Sequence, residues 1–578
     1  MKRFSLRTSA VLSAALSLVI VGAAWADTGA GAYLAGRQAM RGSDYAAASG
    51  YYARALASDR TNPALLEATA QSFLAIGQVK RALPMAMILE KEGVRSQIAH
   101  IVVAANLIND EKYDDLLARD SDTDGIGPLV DGLLTAWAHI GSGDVSEGLT
   151  AFDTLADSGG LRGFALYHKA MALAFMGDFE SAEAIFADPA SGGVMMTRRG
   201  AMARAEILSQ LQRNDAAIAM LNDAFAASFD PGLADLVGRL SAGERLPFTH
   251  VRSAKDGMAE VFFSIAAALR NEAGDDYTLL YARVAKFLRP DHIDAILLTA
   301  ELLDALGQNA LSVAVYKAVP TDSPDFHAAE LGRAEAMRRA GKPDAAIEVL
   351  EQLAKSHPNL PAVFSALGDL MRQQEDYTGA IEAYDTALSL NEDGGRSQWF
   401  LHYARGISFE RLDQWAEAEA DFRAALVLNP DQPQVLNYLG YSLVEKKMKL
   451  DEALDMIERA VAARPDSGYI VDSLGWVLYR LGRYDEAVDH MERAVELMPI
   501  DPVVNDHLGD VYWAVGRYRE AEFQWKRALS FIDPEDTDGE ADPDRIRRKL
   551  EIGLDAVLVE EGAPSLQSAA EGAANDGG

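Results

Sequence analysis

The chain has 578 residues, of which 49% are hydrophobic and 24% charged, with no cysteine and a formal net charge of -33 at pH 7. The lack of thiols excludes disulfides, thiolate nucleophiles, Cys-ligated zinc and a lipid-modified N-terminal cysteine. An acidic surface of this size repels phosphate backbones and anionic headgroups, which argues against nucleic-acid binding and peripheral attachment to a membrane.

Lys2, Arg3 and Arg7 form a basic start, an apolar run follows from about Ala10 to Ala24, and Ala24-Trp25-Ala26 has the small-x-small pattern of a cleavage site. This predicts a secretory signal peptide over 1–26 and a mature chain that starts near Asp27 in the periplasm of a double-membraned bacterium. The alternative is a retained membrane anchor, but the apolar run is barely long enough to span. No later segment has the length and purity of a transmembrane helix.

The body is rich in helix-forming residues. Its length is too great for one compact core, whereas a repeat array spends length by packing each unit only on its neighbours. A period of about 34 residues is clearest toward the C-terminus. Phe364, Leu367, Gly368, Met371, Tyr377, Ala380, Tyr384 and Ala387 set the pattern. It returns as Arg405, Gly406, Phe409, Trp415, Ala418, Phe422 and Ala425, then as Leu474, Gly475, Leu478, Tyr484, Ala487, Met491 and Ala494, then as Leu508, Gly509, Tyr512, Tyr518, Ala521, Trp525 and Ala528. The copy over 433–467 carries one extra residue near Met448. Earlier copies are degenerate, for example Ala35, Gly36, Tyr45, Ala48, Tyr52 and Ala55, or Leu166, Ala170, Leu173, Gly177, Phe179, Ala182 and Phe186.

This pattern resembles the tetratricopeptide-repeat (TPR) family. Small residues at the eighth and twentieth places let two antiparallel helices approach, large residues at the fourth, eleventh and twenty-fourth fill the space between them, and proline near the thirty-second ends the unit. The resemblance implies an all-α TPR solenoid, a right-handed superhelix of antiparallel helix pairs. The expected organisation is an N-terminal degenerate block over 27–235, a C-terminal array over 256–532 with the joint between 230 and 256, an acidic linker over 533–544, a capping helix over 545–560 with Ile546, Leu550, Leu554 and Leu558 on one face, and a disordered tail over 561–578.

No catalytic constellation is evident: the sequence has no His-Glu-x-x-His helix, no Gly-x-Ser-x-Gly elbow and no phosphate-cradling loop. His490 and His507 sit inside repeats and read as surface or packing residues. Asp120, Asp122 and Asp124, followed by Gly125 and by Asp131, approach the spacing of a calcium loop. The final ligand is Asp rather than the longer Glu, Gly127 stands where an apolar residue is usual and Pro128 stiffens the loop, so the segment reads as an acidic loop between helices. The expectation is a non-enzymatic chain with no cofactor and no metal.

In the family's fold the first helix of each repeat lines an inner groove, with its second, fifth, ninth, twelfth and thirteenth places exposed. Those places give a partner-binding strip of Tyr403, Asn437, Tyr441, Tyr469, Asp472, Trp476, Tyr479, Arg480, Asp506, Asp510 and Trp513. Trp, Tyr and Arg are the usual carriers of interface energy, so proteins or extended peptides are the expected partners. The Lys/Asn set that clamps a terminal carboxylate elsewhere in the family is missing.

The runs Leu436-Asn437-Tyr438-Leu439-Gly440-Tyr441, Asp472-Ser473-Leu474-Gly475-Trp476 and His507-Leu508-Gly509-Asp510-Val511-Tyr512-Trp513 resemble those of bacterial envelope TPR proteins. Some of these are lipoprotein adaptors that deliver peptidoglycan hydrolases to a processing protease. This chain departs from them in having no lipid-accepting cysteine. The resemblance implies a periplasmic scaffold or adaptor. The alternative is a structural or assembly factor of an envelope complex with no link to proteolysis.

Overall fold

In the computed structural model the described residues are 29–120, 123, 125–188, 197–225, 230–391, 395, 398–533, 541–563 and 566. The predicted signal peptide, Asp122 and Asp124, most of the acidic linker and nearly all of the predicted tail lie outside them. Among the described residues the regular structure is helical, with no strand. The fold is an all-α solenoid of antiparallel helix pairs.

Two compact units make up the chain, Met1–Leu353 and Ala354–Gly578. The second contains five regular pairs, each a 13-residue helix followed by a 14-residue one: Pro361–Gln373 with Tyr377–Leu390, Trp399–Arg411 with Trp415–Leu428, Pro433–Glu445 with Leu450–Ala463, Gly468–Arg480 with Tyr484–Leu497, and Pro502–Ala514 with Tyr518–Phe531. Local chemistry sets the helix starts. Asp501 accepts the N–H groups of Val503 and Val504 at 2.9 and 3.0 Å, and Pro502, which lacks a donor, occupies the first helical place.

The spacing of small and large residues has a direct packing meaning. A Cβ added at Gly406 would stand 2.8 Å from the Phe422 ring, and one at Gly440 would stand 2.7 Å from Ile457 and 3.0 Å from the Ala453 carbonyl. The eighth place therefore has no room for a side chain, and the large residue sixteen places on, or seventeen in the repeat with the extra residue, is fully buried against it. The extra residue near Met448 is taken up in the connection, where Lys447 and Lys449 both adopt left-handed backbone, with φ of 55° and 47°.

After the last pair the expected single capping helix is two helices, Pro543–Ile552 and Leu554–Glu560. The break is Gly553, whose φ is +83° and whose missing Cβ leaves room for the Trp513 ring, 2.6 Å from where a Cβ would be. Any other residue at this position would press its side chain into that indole. Ile546 and Leu554 are nevertheless buried and Leu550 and Leu558 pack beside them, so the apolar face read from the sequence covers the end of the array.

The first unit corrects the expected joint at 230–256. Helix Ala254–Leu269 seats Gly257 against Trp137 of Pro128–Ser142, and Lys255 Nζ donates to the Asn109 carbonyl at 3.1 Å. On Asp275–Leu288, Arg283 Nε donates to the Ala75 carbonyl at 2.8 Å. Glu260 binds both Arg199 (2.7 Å) and His292 (3.1 Å) and accepts the Tyr167 hydroxyl (2.9 Å). Burial would raise the Glu260 pKa, but Arg199 and His292 hold it well below the usual carboxylate range. Helices on either side of 230–256 therefore share one apolar core and one buried ion network, and the division falls later, between Leu353 and Ala354.

Candidate peptide-binding groove

Because each regular repeat begins with a helix of the same length, equivalent places fall into columns across consecutive first helices. The fifth-place column is Tyr403, Asn437, Asp472 and Asp506. The ninth is Ile407, Tyr441, Trp476 and Asp510. Between these columns the second unit opens a cavity of about 410 Å³. Its lining includes Asn437, Tyr441, Tyr469 and Asp472 from the predicted strip, together with Tyr438, Glu445, Ser473 and His507.

Asn437 forms part of the groove floor. It is 8% exposed, and its Oδ1 is buried without a hydrogen-bond partner. One turn earlier on the same helix, Gln434 Oε1 is also buried and unpartnered. An unsatisfied buried carbonyl oxygen costs about 1–3 kcal/mol. A carboxamide offers an acceptor and donors together, which matches the alternating N–H and C=O groups of an extended polypeptide. Tyr469, 48% exposed, supplies an aromatic surface on the neighbouring helix.

A polar relay crosses the groove beside Asn437. Trp476 Nε1 donates to Glu445 Oε1 at 3.0 Å, linking two successive first helices. The His507 ring lies flat on Trp476, with centroids 4.0 Å apart, and its Nδ1 is 3.0 Å from Asp472 Oδ2. Burial would lower the His507 pKa, but Asp472 outweighs it and the imidazole is held above its ordinary value.

Five members of the predicted strip have other places. Tyr479 is 7% exposed and packs on Tyr484, so burial raises its pKa well above the phenol's ordinary value. Asp506 and Asp510 bind the fully buried ammonium of Lys549, at 2.9 Å from both oxygens of Asp506 and 2.6 Å from Asp510 Oδ1. Trp513 donates to Asp555 at 2.9 Å and lies under Gly553. The two closing helices therefore cover the inner face of the last repeat. Tyr403 packs among Trp399, Phe422 and Tyr438, where burial lifts its hydroxyl to about 12, and it is absent from the groove lining. Arg480 is exposed, 3.9 Å from Glu445.

The suspected calcium ligands are only partly described. Asp131 accepts the N–H groups of Ile126 (3.0 Å) and Gly127 (2.9 Å), so both its oxygens close the loop before Pro128–Ser142. Among the described residues no group of three or more His, Cys, Asp or Glu could hold a metal ion. No described helix is long and apolar enough to cross a membrane.

The sequence profile of the family described as tetratricopeptide repeat matches residues 297–361, 331–395, 403–467 and 471–501. This chain carries tetratricopeptide repeats over those residues. The TPR repeat-containing protein PA4667 of Pseudomonas aeruginosa is 27% identical over 160 residues, which span 28% of this chain and 26%, about a quarter, of that relative. Among solved structures, the APC/C hetero-tetramer Cut9–Hcn1 matches over 91% of this chain and 97% of its own, at 14% identity and a TM-score of 0.37. Yeast Tom70 matches over 92% and 96%, at 15% identity and a TM-score of 0.33. The TPR fold makes this chain a scaffold for protein–protein interaction, and the matches indicate no catalytic family.

Proposed function

We propose that this TPR protein is a periplasmic, non-enzymatic adaptor that holds an extended segment of a partner protein in the inner groove of its second unit. The observation that carries this reading is Asn437: the residue lines the cavity while its oxygen is buried and unpartnered, so a turn of the carboxamide toward the cavity would let a bound polypeptide backbone supply the missing hydrogen bond. The open ring of Tyr469 beside it offers contact area at low entropic cost. Export is supported by the basic, apolar and Ala-x-Ala pattern of residues 1–26. The likeness of the final repeats to envelope adaptors supports a processing protease or a peptidoglycan hydrolase as partner. Two clients held on one array would act on each other through raised effective concentration.

The test is an affinity pull-down from envelope extract with the full chain and with an Asn437→Ala/Tyr469→Ala variant. The adaptor reading predicts that a protease or cell-wall hydrolase is held by the first bait and lost from the second. Retention of such an enzyme by both baits places its contact outside the groove. A stoichiometric complex with outer-membrane components and no hydrolase, lost from the variant, would keep the groove and replace the adaptor role with an assembly role.

A further inference from the structure

At the wall of the groove a carboxylate, with an indole packed behind it, is arranged around an imidazole that the chain supplies itself. Asp472 and Trp476 stand one turn apart on Gly468–Arg480. His507, from the first helix of the next repeat, brings Nδ1 to 3.0 and 3.2 Å from the two Asp472 oxygens and lays its ring on Trp476 with an interplanar angle of 15°. Glu445 fixes the indole through Nε1, and Tyr479 stacks on the same indole at 4.9 Å. A hydrogen-bonding carboxylate beside an aromatic face is the donor set that recognises an ammonium or a guanidinium. Asp472 and His507 both line the cavity.

The other charges around His507 are already matched. Asp506 and Asp510 on its own helix are bound by Lys549 of the closing helices, with Arg545 3.7 Å from Asp510. Glu445 on Pro433–Glu445 accepts from Trp476 and faces Arg480. Asp472 is therefore the carboxylate that answers to the imidazole. It keeps His507 protonated to a higher pH than an ordinary histidine, against the opposing effect of burial.

We propose that Asp472 and Trp476 form the cation subsite of the groove, that the His507 imidazole is its built-in occupant, and that a lysine or arginine side chain of a bound peptide enters by displacing it. The peptide part rests on the groove reading above, whereas the subsite can be tested without any peptide. The entering cation and the proton on His507 compete for one site. Binding of a basic ligand therefore strengthens as pH rises through the His507 titration, by at most about tenfold per pH unit for one proton. By the same linkage, a bound cation moves that titration to lower pH.

The experiment follows the His507 imidazole by NMR in the full chain, assigned by its loss in His507→Gln. The titration is run alone, with N-acetyl-arginine amide, and with N-acetyl-glutamine amide at matched ionic strength. The proposal predicts that only the arginine probe lowers the midpoint. It also predicts that saturation transfer reports tighter binding of that probe to His507→Gln, without pH dependence near neutrality, and that Asp472→Asn abolishes binding in either background. A midpoint that the arginine probe leaves unmoved at the highest concentration the protein tolerates overturns the proposal, as does equal movement by both probes. If the arginine probe shifts the midpoint while Asn437→Ala/Tyr469→Ala still holds every partner, the subsite stands and the peptide groove fails.

Discussion

Replacing Lys549 with methionine should loosen the end of the array while leaving the preceding repeats folded. The ammonium of Lys549 has no solvent exposure and makes three charge-assisted contacts with Asp506 and Asp510. Methionine keeps most of the apolar stem and removes only the charge, so two close carboxylates lose their main cationic partner in a buried site. Removing one partner of a buried ion pair costs about 3–5 kcal/mol. Repeat arrays unfold locally, so the loss should fall on Pro502–Ala514 and the closing helices rather than on the whole chain. Amide exchange read peptide by peptide should show protection over 502–560 lowered by about two to four orders of magnitude, with 361–463 unchanged. Burial and the neighbouring Asp510 already push the Asp506 pKa upward, and Lys549 opposes them. With Lys549 gone that upward shift grows. The charged carboxylate then destabilises the folded state above its unfolded pKa, and the deficit of the variant should shrink as pH falls toward that of the protonated pair. Adding Asp506→Asn and Asp510→Asn to Lys549→Met should restore much of the loss. A loss below about 1 kcal/mol, the value of an exposed pair, would refute the reasoning that this is a desolvated ion site.

Three further outcomes follow from the packing and the groove. Gly440→Ala should destabilise the second unit by about 1–3 kcal/mol in chemical denaturation, because the new methyl meets both Ile457 and the Ala453 carbonyl. Asn437→Leu should leave the free protein as stable as before, or more stable by about 1 kcal/mol, by removing an unsatisfied buried oxygen, while partner capture falls. Asp472→Asn should return the His507 titration toward the ordinary imidazole value or below it. The stabilising contribution of this pair, which in the parent protein is fully present below the unfolded histidine pKa and lost as pH rises through the raised folded value, should vanish from the pH–stability profile of the second unit.

The regular part of the fold was legible because its geometry is written at fixed spacing. A glycine at the eighth place and a large residue sixteen places later describe one contact, as Gly406 with Phe422 shows, and the one-residue insertion makes the same contact seventeen places apart for Gly440 and Ile457. The same spacing stacks the fifth and ninth places into columns: Asn437, Tyr441 and Asp472 there line the cavity, whereas Tyr403 is packed among aromatic rings and Asp506 and Asp510 are bound by Lys549. The twelfth place was misread. Tyr479 there packs on Tyr484 at the start of the second helix of its own pair, and Val444 one repeat earlier is buried, so these side chains belong to the core. Lys549 meets Asp506 and Asp510 across about forty residues, and no local pattern marks that pairing. The long-range ties of the first unit, such as Tyr167 to Glu260 across 93 residues, were invisible for the same reason. His507 looked like a scattered histidine. The available signal was its place in the column beside Asp472, 35 residues and about one repeat away.

The central claim, that partners bind along the inner face of the second unit, is tested most directly by site-specific photo-crosslinking in the native envelope. A photoreactive side chain is placed at Tyr469 in the groove or at Val427, 81% exposed on the second helix of its pair. The account predicts a discrete covalent adduct from position 469 that disappears when Asn437→Ala is added, with no such adduct from position 427. Adducts of the same size from both positions, or an adduct at 469 that is indifferent to Asn437→Ala, would contradict it.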